Sequence, residues 1–122
     1  MNRAEQLKQI LENLQAGSSD IEACAVVSED GLMIASLLPQ GLEEAQVAAM
    51  SAEMMSLGTR TAKELNRGSL QQFFIKGDNG YAIGMDAGPH AVLLVLARKE
   101  ARLGLIFLDL SRAAEETNKA LA

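Results

Sequence analysis

Apolar residues recur along this chain with two periods, and these periods predict its helices and strands. From Ala4 to Ala16, leucine or isoleucine returns every three or four positions with charged residues between, which is typical of an amphipathic helix. The runs Ile21–Ser28 and Leu32–Leu37 are aliphatic and flank an Asp-Gly turn, so they predict a β-hairpin.

Three further strands and a last helix are predicted in the second half of the chain. Glycine-containing turns separate Ser69–Lys76, Tyr81–Met85 and His90–Ala97. The last of these strands is a nearly unbroken aliphatic run, which places it centrally in a sheet. The apolar face of the last helix comprises Leu103, Ile106, Phe107, Leu110, Ala113, Ala114, Thr117 and Leu121. Leu105 and Leu108 fall on its opposite side.

The middle of the chain, Leu42–Arg67, predicts one long helix because it has no proline and is rich in strong helix formers. Gly58 is its only weak interior position, and Gly68 is expected to end it. At 100° per residue, its side chains form three bands. The large apolar band is Val47, Met50, Met54, Leu57, Thr61 and Leu65, the small band is Ala45, Ala48, Ala52, Met55, Ser56, Thr59 and Ala62, and the polar band is Gln46, Glu53, Arg60, Glu64 and Arg67.

The two apolar bands cover roughly 200° of the long helix, about twice what one sheet must hide. We expect the large band to pack on the chain's own sheet and the small band to approach the same helix of a second copy in a symmetric dimer. The alternative is that the first or last helix of the same chain covers the small band. The strand that follows supports a dimer, because Leu70–Ile75 has no charge and no proline to protect an exposed edge. The alternative is that a neighbouring loop shields that edge.

The order helix, two strands, helix, three strands, helix predicts an α+β sandwich. A length of 122 residues favours a single domain over residues 1–122. The net charge of −5 argues against nucleic acid as a main partner. The longest apolar stretch, Ala91–Ala97, is far shorter than the ~20 residues that a membrane helix needs, so no membrane insertion is expected. The single cysteine, Cys24, cannot form an internal disulfide, which favours a cytoplasmic location.

Residues able to carry catalysis are few and scattered. His90 is the only histidine and has no second ligand at metal-binding spacing, so we interpret it as structural. Cys24 lies among alanines and valines and is expected to behave as a small apolar residue. No motif joins Asp78, Asp86 or Asp109 to a nucleophile, and no phosphate-binding loop is present. We therefore expect no catalytic residue, no metal and no cofactor.

Three segments resemble the roadblock family, which includes dynein light chains and the MglB-type bacterial regulators of small Ras-like GTPases. They are Val26–Ser36, the alanine-rich helix ending at Gly68, and Arg102–Ile106 with the Ser-Arg-Ala-Ala sequence from Ser111. The resemblance implies a profilin-like sandwich, with a five-stranded antiparallel sheet and helices on both faces. It also implies homodimerisation through the third strand and the long helix, here Ser69–Lys76 and Glu43–Arg67.

The resemblance further implies a non-catalytic platform for a small P-loop GTPase, whose switch loops it would modulate. The expected dimer interface comprises Ala45, Ala48, Ala52, Met55, Ser56, Thr59, Leu70, Gln72 and Phe74. The expected partner-binding residues are Met50, Met54, Glu53, Arg60, Glu64 and Arg67. A structural adaptor subunit is the first alternative. A small-molecule sensor is the second, although the aliphatic strands offer few polar groups to orient a ligand.

Overall fold

The computed structural model describes residues 1–122 as three helices and one five-stranded sheet. The helices are α1 (Arg3–Ala16), α2 (Glu44–Glu64) and α3 (Leu103–Leu121), and the strands are β1 (Ile21–Ser28), β2 (Met33–Leu37), β3 (Gln72–Gly77), β4 (Gly80–Asp86) and β5 (Ala91–Arg98). This is the predicted order of elements. Asn2 and Glu5 close the start of α1 with a reciprocal capping box.

The sheet is antiparallel with the order β2-β1-β5-β4-β3, so β5 is the central strand, as its aliphatic sequence predicts. Alternate residues of each strand enter two separate cores. On one face, Leu11 of α1 and Leu110 of α3 pack with Val95 of β5. On the other face, Val47 of α2 packs with Leu94. The helices therefore lie on both faces of the sheet, with α2 alone on its side.

Two boundaries differ from the sequence prediction by three residues, and several others differ by one or two. The helix α2 ends at Glu64 rather than Arg67, because Asn66 and Gly68 adopt left-handed backbone conformations (φ 58° and 91°). The strand β3 begins at Gln72 rather than Ser69, because Leu70 folds back onto α2. A Cβ on Gly58 would lie 2.8 Å from Leu70 Cδ2, so the one weak position within the helix makes room for that side chain.

A second glycine makes room for an aromatic ring. Gly84 on β4 pairs with Phe73 on β3, and the Phe73 ring lies across it so closely that a Cβ would collide with the ring. Phe73 is consequently buried in the core beneath α2. The pairing fixes β3 onto the sheet even though it lies at the edge.

A buried carboxylate joins the end of β5 to the start of α3. Asp20 is 1% exposed and accepts hydrogen bonds from Arg98 Nε (2.7 Å), the Arg102 backbone amide (3.0 Å) and Arg102 Nε (3.2 Å). The Arg102 amide, followed by the Arg98 guanidinium, lowers the pKa of Asp20 to about 2. No pattern in the sequence predicts this cluster, since Asp20 lies far from the two arginines along the chain.

Candidate interaction surface

The face of α2 that packs on the sheet runs between the two predicted apolar bands. Val47, Ala48 and Ser51 are its buried residues. Ser51 is tolerated there because its hydroxyl donates to the Val47 carbonyl oxygen at 2.8 Å. The buried residues of the helix thus include a small one and a polar one. Bands defined by large or small apolar residues therefore did not identify this face.

The prediction that the large band packs on the chain's own sheet is wrong for four of its six members. The exposed fractions are 50% for Met50, 48% for Leu57 and 62% for Leu65. Thr61 is exposed as well, whereas Met54 is partly buried against the core. One flank of α2 therefore presents large apolar side chains that no part of this chain covers.

The small band faces the chain's own fold. Ala48 has no exposed surface, and Ala52 and Met55 are partly buried. The turn between β1 and β2 lies over this side of the helix, since a Cβ on Gly31 would lie 3.7 Å from the Ala52 Cβ. A second helix therefore cannot reach Ala48 in this fold, which corrects its assignment to the dimer interface. The alternative, coverage by α1 or α3, is also wrong because both helices lie on the other face of the sheet. Ala45 and Ser56 remain exposed.

A groove of about 780 Å³ separates this small band from the turns at one end of the sheet. Residues of α2 form one wall: Ala52, Met55, Ser56, Thr59, Arg60 and Lys63. The opposite wall comes from the β1–β2 turn, with Glu29 and Asp30, and from the end of β4 and the turn after it, with Asp86 and Pro89. Burial raises the pKa of Asp86, against the opposing effect of a hydrogen bond from the Gly88 backbone amide.

The charges of this groove are largely unpaired within the chain. Arg60 and Lys63 on the helix wall form no salt bridge, and neither do Asp30 and Asp86 on the turn wall. The remaining acid, Glu29, is held by His90, whose Nδ1 lies 2.8 Å from Glu29 Oε1. The groove thus offers cationic groups on one side and carboxylates on the other. The partner-binding prediction named Arg60 but missed the acids, which come from turns distant in sequence.

The two edges of the sheet differ. On the β2 edge, Lys8 Nζ donates to the Ser36 carbonyl oxygen at 3.1 Å, and the Ser36 hydroxyl bonds Glu44 at 2.6 Å. The strand β3 pairs with β4 alone, and all of its residues except Phe73 are exposed. Of the predicted interface residues, Gln72 and Phe74 lie in this edge strand, whereas Leu70 precedes it. Lys76 is its single charge.

The residues considered for chemistry lie apart from one another. Cys24 is fully buried, with its Sγ 3.6 Å from the Leu11 carbonyl oxygen, and burial raises its pKa to about 11. The His90 side chain is 77% exposed and links two turns through Glu29. No cluster of three or more His, Cys, Asp or Glu residues could hold a metal ion. None of the helices has the length and apolar character required to span a membrane.

The fold and this surface define a profilin-like α+β domain with one open sheet edge and one unpartnered helix flank. The chain belongs to the Roadblock/LC7 domain family, whose model matches residues 7–97. It is 40% identical to the uncharacterized protein MJ1340 of Methanocaldococcus jannaschii over 96 residues, covering 79% of this chain and 83% of that protein. A second uncharacterized protein of that organism, MJ0310, is 38% identical with the same coverage.

Solved structures share the fold over nearly the whole chain. MglB of Myxococcus xanthus superposes with a TM-score of 0.90 at 19% identity, covering 97% of this chain and 89% of that one. A Roadblock/LC7 domain from Streptomyces avermitilis gives 0.71 at 29% identity, with coverages of 91% and 97%. Profilin IA of Acanthamoeba castellanii gives 0.66 at 11% identity, with coverages of 94% and 98%. Family membership indicates a regulatory or adaptor role, because proteins of this family are in general not catalysts.

Proposed function

We propose that this chain is a homodimeric, non-catalytic regulator that binds a small Ras-like GTPase and modulates its nucleotide state or GTP hydrolysis. The observation that carries the proposal is the open β3 edge of the sheet together with the uncovered flank of α2. The family supports a regulatory role, and the roadblock resemblance supplies the GTPase as partner.

Pairing with a second copy would satisfy both features. The backbone groups on the free side of β3 have no partner within the chain, and an unprotected edge is a template for another strand. The same association would bury the apolar side chains of Met50, Leu57 and Leu65 on α2 away from water. The proposed interface retains Gln72, Phe74 and Ala45 from the sequence prediction. In place of the other residues of the small band, it contains the exposed Met50, Leu57 and Leu65.

The groove beside α2 is the surface we assign to the GTPase. Ala52, Met55, Ser56 and Thr59, which the sequence analysis expects at the dimer interface, line this groove, and we assign them to the partner. Its unpaired cations and carboxylates suit a protein segment that carries both signs of charge. The predicted partner residues Glu53, Glu64 and Arg67 are exposed on the same helix or just after it and would contribute at the rim.

The proposal is tested with purified chain and the small Ras-like GTPases of its own organism, each loaded with GDP or with a non-hydrolysable GTP analogue. We expect binding that prefers one nucleotide state and a change in GTP turnover. Reversing the charge of the helix wall, Arg60→Glu with Lys63→Glu, should weaken binding about tenfold or more. The matched control is Arg112→Glu, an exposed charge on α3, which should bind normally.

The outcomes separate the proposal from its alternatives. Absence of binding in both nucleotide states would overturn the GTPase assignment. Retained binding with unchanged GTP turnover would instead identify an adaptor subunit. Light scattering of each variant shows whether a loss of binding reflects a loss of the dimer, because the groove substitutions should leave the oligomeric state unchanged.

A further inference from the structure

A second cavity lies at the same end of the sheet as the charged groove but on the opposite face. Its volume is about 320 Å³. Its wall is mainly apolar and includes Ile34, Ala87, Pro89, Ala91 and Leu121. Ala87, Ala91 and Leu121 belong to the core that α1 and α3 cover, whereas the groove lies on the α2 side of the sheet. We call this cavity the anchor pocket.

One turn separates the anchor pocket from the groove. Gly88 and Pro89, between β4 and β5, line both cavities, and so do Ser28 at the end of β1 and Ala91 at the start of β5. Pro89 is exposed on this turn. The turn is therefore a ridge with an apolar cavity on one side and a charged groove on the other.

Hydrogen bonds hold this ridge in place. The Glu29 amide donates to the His90 carbonyl oxygen at 2.9 Å, and His90 Nδ1 lies 2.8 Å from Glu29 Oε1. Within the turn, the Ala87 amide donates to the Ala91 carbonyl oxygen at 3.0 Å. A surface that is fixed before binding loses little conformational freedom when a partner binds. Both cavities are thus formed in the free chain.

The charged groups lie in a definite order when the ridge is crossed from the anchor pocket. The carboxylates of Asp86 and Asp30 come first, because they belong to the turn wall of the groove. The cations of Arg60 and Lys63 follow on the helix wall. Asp86 forms no salt bridge within the chain, and burial raises its pKa. An incoming cation would therefore stabilise its ionised form.

We propose that one extended segment of the partner GTPase crosses this ridge, with an apolar side chain in the anchor pocket, a basic one against Asp86 and an acidic one against Arg60 and Lys63. The inference rests on the proposed function and adds the chemistry of the partner segment. The occupant is extended because the two cavities lie on opposite faces of the sheet. A helix is about 10 Å across and cannot bend over the turn into both.

The two cavities should contribute to binding in different ways. An apolar side chain held in a pocket slows dissociation, because it must return to water when the complex separates. Complementary charges mainly raise the association rate and set the orientation of the partner, and salt screens them. Substitutions on the two sides of the ridge should therefore change different rate constants.

Ile34→Ser tests the anchor pocket without changing the net charge. Ile34 is 38% exposed and forms part of the pocket wall. With the GTPase and nucleotide state that bind the unmodified chain, the variant should raise Kd at least about fivefold through faster dissociation, at unchanged salt dependence. The matched control is Leu105→Ser. Leu105 is 51% exposed on α3 and lines neither cavity, so this variant should bind normally.

A second variant obstructs the anchor pocket instead of removing part of its wall. Asn118 is an exposed residue of α3 that lines the pocket, and Asn118→Phe adds bulk there. This variant should also weaken binding at least about fivefold. Ser111→Phe, at an exposed position of the same helix outside both cavities, is the control and should bind normally.

Asp86→Asn tests the basic contact on the other side of the ridge. Asparagine keeps an oxygen that can accept the hydrogen bond from the Gly88 amide, so the main change is the loss of the charge. The variant should slow association and reduce the dependence of binding on salt. Asp78→Asn, in the turn at the other end of β4, is the control and should change neither.

A double-mutant cycle tests whether one segment makes both contacts. The losses for Ile34→Ser and Asp86→Asn should be less than additive, because a segment that is no longer anchored also loses its position against the carboxylate. Additive losses would indicate two independent contacts and overturn the single segment.

The outcomes separate this inference from the proposed function. Absence of GTPase binding in both nucleotide states would overturn both. Binding that tolerates Ile34→Ser and Asn118→Phe would leave the proposed function intact and overturn the anchor pocket, and normal association of Asp86→Asn would overturn the basic contact. Circular dichroism confirms that each variant is folded.

Discussion

Asp20 shows how one side chain can hold three elements together. Its carboxylate receives hydrogen bonds from residues 78 and 82 positions away, so it links the loop before β1 to the end of β5 and the start of α3. Removing a buried carboxylate leaves the groups that donate hydrogen bonds to it without an acceptor. The residue therefore matters more for stability than its position in a loop suggests.

The stability that Asp20 contributes should depend on pH, and substituting the residue should remove that dependence. The folded pKa of about 2 lies below the ordinary value of 3.8, so the stabilisation is fully present above pH 3.8 and is lost as the pH falls toward 2. We expect Asp20→Asn to lower Tm by at least about 5 °C at neutral pH. The difference from the unmodified chain should shrink below pH 3.8.

Thermal unfolding followed by circular dichroism across this pH range measures both effects. Asp78→Asn, in the exposed β3–β4 turn, is the control and should change Tm little at any pH. A pH-independent loss for Asp20→Asn would show that the carboxylate acts through its shape rather than its charge.

Cys24 should report on global unfolding. Its side chain is fully buried and its pKa is raised to about 11, so only about one thiol in a thousand would be ionised at pH 8 even if it were reachable. We expect a thiol reagent to leave the native chain unmodified and to label it at a rate set by unfolding. Gln72→Cys at the exposed edge should label at once, and rapid labelling of Cys24 would show that the core beneath α1 opens locally.

At the scale of elements, close approaches between a glycine and a large side chain fix how β3 and α2 sit on the sheet. Sequence periodicity was sufficient for the existence and order of all eight elements, because each has a long enough run of apolar residues at one period. It did not identify the buried line of α2. Ser51 can be buried because its hydroxyl bonds within the helix, and Gly58 faces Leu70 because it has no side chain. The contact of Gly58 with Leu70 depends on a neighbour outside the helix, and the bond within the helix permits the burial of Ser51 without determining it.

Adding a methyl group at Gly84 tests the packing of β3. Gly84→Ala would drive its Cβ into the Phe73 ring, and overpacking of this kind costs about 1–3 kcal/mol in the free energy of unfolding. Gly104→Ala is the matched control: its Cβ would meet no atom within 4 Å, and alanine in a helix is favoured by up to about 1 kcal/mol. Urea denaturation should therefore move in opposite directions for the two variants. Equal effects would mean that the Phe73 ring can move aside without loss.

At the scale of the whole molecule, the sequence predicts that the sheet leaves part of the apolar surface of α2 uncovered, but not which residues form that part. The excess of apolar residues around α2 indicated more apolar surface than the sheet covers, and Met50, Leu57 and Leu65 remain uncovered. Which band faces outward was not predictable from the apolar residues alone. The turn at Gly31 lies over the small band, and the residues of α2 that face the sheet are partly polar, so the helix presents a different face to the sheet than its large apolar residues indicate. The acids of the groove were missed because they come from two turns that only the folded sheet brings together.

The asymmetry between the sheet edges limits how far strand addition can proceed. Lys8 of α1 and Glu44 of α2 both hydrogen-bond Ser36 in the border strand β2, whereas the opposite border strand β3 has no such contact. A chain with two open borders could recruit neighbours without end and grow into a fibre. With one border obstructed, an association through the other would be complete once two chains have met, and the sheet would not extend into a fibre.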